Sequence, residues 1–132
     1  MKVAVDASAL VAIALNEPGW EVYDVALQSA DEAWATPVNL FEASLVLVLR
    51  HARLSTEEFA AWVEHLRIQT SHAVDHMDAL DAYFRYGKGV HRAGLNMGDC
   101  FAYALAKKLD APLLYKGDDF SRTDIRSALQ PT

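Results

Sequence analysis

The sequence predicts an α/β domain of three layers, with a central, mostly parallel sheet and helices on both faces. Two observations carry this. Short apolar runs (Lys2 to Val5, Glu32 to Thr36, Pro112 to Tyr115) alternate with longer segments whose apolar residues recur at helical spacing. The links between them are short, so strands are joined through helices and neighbouring strands run parallel. In such sheets ligands bind beyond the carboxyl ends of the strands. The residues that follow each strand are therefore the first place to look for chemistry.

Lys2 to Val5 is short, β-branched and stopped by Asp6, as expected of a buried first strand. Ala9 to Leu15 reads as a helix capped by Asp6 or Ser8. Asn16 and Pro18 suit the start of a second helix through Trp20, Val22, Tyr23 and Leu27. Pro37 ends the strand Glu32 to Thr36. Val38 to His51 then reads as a strongly apolar helix, buried on most sides, with Glu42 near its start. Ser55 and Glu58 form a capping box for a helix over Thr56 to Ile68. Its Phe59, Trp62, Val63 and Leu66 make one buried stripe. Ser71 to Val74 reads as a short strand. Asp75 caps a helix through Met77, Leu80, Tyr83 and Phe84, closed by Gly87. A glycine-punctuated basic loop leads to Asn96, the cap of a helix over Met97 to Leu109, and a short polar tail follows from Ser121.

The 132 residues match one domain, expected to span 1–132. A net charge of −6 argues against a general nucleic-acid-binding surface, which carries a basic excess. It leaves room for a nuclease whose acids hold metal. The longest apolar stretches, Ala7 to Leu15 and Ala43 to Leu49, fall well short of a membrane span. Met1-Lys2-Val3 leads straight to Asp6 without the apolar region of a signal peptide. Cys100 is the single cysteine and has no internal disulfide partner, so the expected location is a reducing cytoplasm.

Five acids interrupt or follow apolar segments, where an ionised side chain is costly unless compensated: Asp6, Glu42, Asp99, Asp118 and Asp119. Most have an ordinary reading taken singly. Asp6 suits a helix cap, Asp99 suits the positive end of a helix, and Asp118 and Asp119 suit a turn. Glu42, in an apolar helix, is harder to dismiss. Gathered together, the acids would repel one another and need a cation, and an all-oxygen donor set favours Mg²⁺ or Mn²⁺ over Zn²⁺. This points to a metal-dependent reaction on a phosphate ester. Lys88, His91 and Arg92 are the candidate phosphate contacts. His72 and His76 lie four apart, but Asp75 is expected to start a helix between them, which spoils a zinc pair. There is no GxxxxGK[ST] or GxGxxG turn. Ser8 also stands where a phosphatase of the haloacid dehalogenase type needs a second Asp.

The opening VDASALVAI, the Glu within NLFEAS, the segment YGKGVHRAGLNMGDCFAYALAK and LLYKGDDFSRTDI together resemble a PIN domain. More narrowly, the chain resembles the VapC toxins of bacterial toxin–antitoxin pairs, over nearly its whole length. The resemblance implies a PIN-like α/β/α fold and an endoribonuclease that depends on Mg²⁺ or Mn²⁺, with water as the nucleophile. By position, Asp6, Glu42 and Asp99 would be the core acidic ligands, and Ser8 would support Asp6 through a hydrogen bond. The fourth acid would be Asp119, with Asp118 as second choice, because Gly117 departs from the pattern many members show there. Lys88, His91 and Arg92 would contact the RNA. The implied partners are a VapB-like antitoxin, whose C-terminal segment covers the acidic cleft, and a second copy of the chain in a homodimer. The rival readings are a PIN scaffold that binds RNA or protein without cutting, and a PIN nuclease of RNA maturation.

Overall fold

The computed structural model describes residues 1–129, so the last three positions of the expected 1–132 domain lie outside the described residues. Four strands, β1 (Lys2–Val5), β2 (Glu32–Ala35), β3 (Ile68–Thr70) and β4 (Leu113–Leu114), form one sheet in the order β3-β2-β1-β4. Every pairing is parallel, with Ala4 opposite both Trp34 and Leu113, and Ala33 opposite Ile68. The helices are α1 (Ala7–Ala14), α2 (Trp20–Ser29), α3 (Pro37–Ser44), α4 (Thr56–His65), α5 (His76–Tyr86) and α6 (Met97–Leu109). Successive strand side chains point to opposite faces, and the two cores follow that period. Val3, Val5, Ala33, Ala35, Ile68 and Leu114 pack with α1 to α4. Ala4 and Leu113 pack with α5 and α6. This is the three-layer α/β/α arrangement the sequence predicts.

The second layer relies on small residues. Ala79 and Ala82 of α5 meet Ala102 and Ala106 of α6 in one cluster, which lets the two helices approach closely. The fully buried Leu10 and Leu105 anchor the two sides. Truncating either to Ala would cost about 2–5 kcal/mol through lost burial and the cavity left behind. Capping boxes at Ser55/Glu58, Asp75/Asp78 and Asn96/Asp99 start α4, α5 and α6. All three caps, Ser55, Asp75 and Asn96, begin their helices where the sequence places them.

Five local expectations are corrected. Helix α2 begins at Trp20 rather than Pro18, because Gly19, at φ 85, makes a left-handed turn first. Helix α4 ends at His65, and Arg67, at φ 59, turns the chain so that Ile68 starts β3. The strand therefore precedes Ser71–Val74, since Ile68 is the residue able to enter the core opposite Ala33. The apolar segment from Val38 to His51 is not one α-helix buried on most sides. It passes from α3 into a π-helical stretch, Leu45–Arg50, with Phe41 62% and Leu49 71% exposed. Apolar composition does not say which face of a helix has a partner. Finally, the polar tail is not merely a tail. Ser127 bridges Leu113 in parallel, with Leu113 N–H donating to Arg126 O at 2.8 Å and Ala128 N–H to Leu113 O at 2.9 Å.

Candidate active site

Asp6 follows β1 and caps α1. Its Oδ2 accepts the Ser8 N–H at 3.1 Å and the Ser8 hydroxyl at 2.6 Å. Ser8 Oγ in turn accepts the Lys116 N–H at 2.9 Å, tying the ends of β1 and β4 together behind the carboxylate. The other oxygen, Oδ1, is buried with no hydrogen-bond partner. Burial pushes the Asp6 carboxyl up to about 6; the Ser8 hydrogen bonds oppose this and the Glu42 charge adds to it.

Asp99 is the third residue of α6 and shares a capping box with Asn96. Its Oδ2 accepts the Asn96 N–H at 3.1 Å, and its own N–H donates to Asn96 Oδ1 at 2.9 Å. Asp99 thus sits in the first turn of a helix capped by Asn96, as the sequence reads, and this role occupies one oxygen only. Burial pushes this carboxyl up to about 7, against the Asn96 N–H and helped by the charges on Asp6 and Asp119. Glu42, half-buried on α3, is also raised, first by burial, with the Asn39 amide opposing and the Asp99 charge adding.

Asp6, Glu42 and Asp99 thus lie within one another's fields, brought from three separate elements to the carboxyl end of β1. Asp119 joins them through its charge on Asp99. Asp118 precedes the 3₁₀ turn Asp119–Arg122, and its charge is felt at Tyr115 instead. Both Asp118 and Asp119 are exposed.

A cleft of about 410 Å³ opens beside these acids, between α1 and the α3/π segment. Ser8 and Glu42 lie on its wall, Val11, Leu45 and Val46 give it apolar lining, and Arg50 and Lys116 supply cations. Lys116 Nζ is 3.0 Å from Glu17 Oε1. Arg50 and Lys116 escaped the sequence reading, since nothing in their neighbourhood marks them until the end of the π-helical stretch and the segment after β4 reach one cleft. Lys88, His91 and Arg92 sit on the loop joining α5 to the start of α6, and do not line this cleft. His91 Nδ1 accepts the Ala93 N–H at 3.0 Å and its ring meets Tyr86 edge-on, so that side chain also shapes the loop. His72 and His76 are exposed, and Asp75 caps α5 between them as expected. Cys100 is buried and its thiol is pushed up to about 11 by burial and the Asp99 charge, which makes it inert.

Acids gathered beyond the carboxyl end of the first strand of a parallel sheet stand where α/β domains bind their ligands. The PIN domain family model matches residues 3–126. Ribonuclease VapC30 of Mycobacterium tuberculosis is 40% identical over 130 residues, covering 96% of this chain and 98% of that protein. Ribonuclease VapC of Mycolicibacterium smegmatis is 40% identical over 123 residues, covering 92% and 95%. Among solved structures, the Mycobacterium tuberculosis toxin VapC20, described as cleaving the sarcin–ricin loop, superposes with a TM-score of 0.72 at 17% identity, over 93% of this chain and 95% of that one. The chain belongs to the PIN-domain family, in its VapC branch.

The donor set suits a hard divalent cation. Its members are carboxylates, and the orphaned Oδ1 of Asp6 is a buried oxygen that protein hydrogen bonds leave unsatisfied. Among the described residues, no three His, Cys, Asp or Glu side chains stand close enough together to hold a metal ion as a group.

Proposed function

We propose that this protein is a metal-dependent endoribonuclease toxin, active with Mg²⁺ or Mn²⁺ held by Asp6, Glu42, Asp99 and Asp119. The observation that carries the reading is Asp6 Oδ1, buried and unpartnered in a cluster of mutually repelling acids. A bound cation would activate a water and neutralise charge on the phosphate. Asp6 is oriented by Ser8, which fixes one carboxylate oxygen and leaves the other free. Asp99 is held by its capping hydrogen bonds, and Asp119 adds charge from the open side. Arg50 and Lys116 would engage RNA phosphates along the cleft, with Lys88 and Arg92 on the adjoining loop. Asp118 contributes no direct ligand. The relatives named VapC ribonuclease support RNA as the substrate class.

A VapB-like antitoxin would silence the enzyme by covering this cleft. The exposed Phe41 and Leu49 lie on the same segment as the acidic wall, which suits a peptide carrying apolar and basic side chains together. Both proteins would act in the cytoplasm, and the toxin would work as a homodimer. No helix of the described residues is long and apolar enough to cross a membrane.

The test is cleavage of total cellular RNA by purified protein with Mg²⁺, with Mn²⁺ and with EDTA, alongside folded Asp6→Asn. Discrete cuts that need metal and vanish in the variant are the expected result. Cleavage that survives EDTA or the substitution would sink the assignment of these acids. RNA binding without cleavage by folded wild type would favour the non-cutting scaffold.

A further inference from the structure

One set of buried polar atoms beside the cleft is not accounted for by the acids themselves. Asn39, fully buried on α3, lies one turn before Glu42. Its Oδ1 accepts the Thr36 hydroxyl at 2.7 Å. Its Nδ2 donates to the Gly98 carbonyl of α6 at 2.9 Å and to Glu42 Oε1 at 3.3 Å. These partners fix the amide's orientation, since a backbone carbonyl and a carboxylate can only accept. Capping does not explain the side chain. Thr36 caps α3 by accepting the Asn39 backbone N–H at 3.1 Å, which would survive loss of the amide. The amide instead joins the two helices that carry Glu42 and Asp99.

Gly98 works on the same carboxylate from the other side. A Cβ at this position would overlap the Cδ and both oxygens of Glu42. The Glu42 carboxylate therefore lies against bare α6 backbone, with the Asn39 amide at its edge. Glutamate has enough torsional freedom to swing a half-buried carboxylate towards water, and holding it inward costs side-chain entropy.

We infer that Asn39 and Gly98 form a seat that orients Glu42 towards the other acids, with Asn39 the positioning residue and Gly98 the clearance it needs. This rests on the metal reading above. A mere clip between α3 and α6 would behave differently, because its loss would weaken the fold whether or not Glu42 were present.

The experiment is a double-mutant cycle on Mn²⁺ affinity, read by electron paramagnetic resonance of free Mn²⁺, with thermal melts of the same proteins. Asn39→Ala is expected to weaken Mn²⁺ binding about tenfold, the low end for residues that orient metal ligands. In a Glu42→Ala background it is expected to cost nothing further. Additive losses, with wild-type binding intact, would overturn the seat and leave the metal reading standing. No Mn²⁺ binding by folded wild type removes the metal reading and the seat with it.

Asn39→Ala also leaves the Gly98 carbonyl and the Thr36 hydroxyl without a partner, so Gly98→Ala is the second arm. Ala is the better helix former, and its Cβ meets only the end of a flexible side chain. The variant is expected to melt at or above the wild-type temperature while binding Mn²⁺ about tenfold more weakly. Unchanged Mn²⁺ affinity in folded Gly98→Ala overturns the inference.

Discussion

Helices α6 and α3 each deliver one acid to the same cluster, but α6 is held on most sides and α3 on few. Helix α6 runs without interruption from its capping box to Asp110, and eight of its residues are buried. Its Asp99 is 9% exposed. Helix α3 buries only Asn39 and Ala43, and passes into a π-helical stretch with Phe41 and Leu49 turned to solvent. Its Glu42 is half-buried and is held by one long hydrogen bond. The difference is one of support. Asp99 is placed by a rigid element, and the cost is a buried charge. Glu42 is less enclosed and depends on local contacts for its direction.

The strongest way to break this contrast is to remove the acids singly. Asp99→Asn is expected to lower RNA cleavage at least about a hundredfold, beyond the lower range for residues that only orient ligands. In EDTA at pH 8 the same variant should melt several degrees above wild type, because it no longer buries a charge. Glu42→Gln should also lose cleavage, yet melt within about a degree of wild type. Equal stabilisation by both substitutions would erase the distinction between the two walls.

The second test uses pH. The folded protein holds protons on Asp6 up to about 6 and on Asp99 up to about 7, where the ordinary value is 3.8. The folded state thus binds more protons than the unfolded chain across that interval, and stability falls as pH rises through it. For Asp6 alone the loss is on the order of 3 kcal/mol. Metal-free protein should therefore melt progressively lower from pH 5 to pH 8, and millimolar Mn²⁺ should reverse the loss at the alkaline end. A flat profile in EDTA would show that the acids are not held as described.

The exposed pair gives a smaller effect. Asp119→Asn should reduce cleavage about tenfold, and Asp118→Asn less than about twofold, measured on the same RNA. The reverse ranking would move the fourth acid to Asp118. Smallest of all, Arg50→Ala and Lys116→Ala should each lower the slope of log binding against log salt by about one. Unchanged slopes would place the RNA elsewhere, with the loop of Lys88 and Arg92 the next surface to test.

Much of the layout was legible because it is written locally. The β-branched run before Asp6, the capping patterns at Ser55, Asp75 and Asn96, and the bounds of α6 all follow from residues within a few positions of one another. The all-parallel sheet follows from short strands joined through helices. Asp6, Glu42 and Asp99 stood out because an acid inside an apolar segment violates the pattern around it.

What the sequence could not supply depends on distances between remote segments. The start of β3 was settled by Ile68 finding its place opposite Ala33, and the exposure of Phe41 and Leu49 by the lack of a packing partner on that side of α3. Arg50 and Lys116 became neighbours of Glu42 only when the π-helical stretch and the segment after β4 were brought to the same cleft. Asn39 looks like an unremarkable polar residue in a helix, until its amide is seen to span 59 positions to Gly98. Sequence alone determined most of the elements, the parallel sheet and the acids, since propensity, capping and local polarity act over a few residues. Tertiary structure alone decided which oxygen of Asp6 was left without a partner and what holds Glu42 in place, since burial and hydrogen bonding across the chain exist only once the layers have packed.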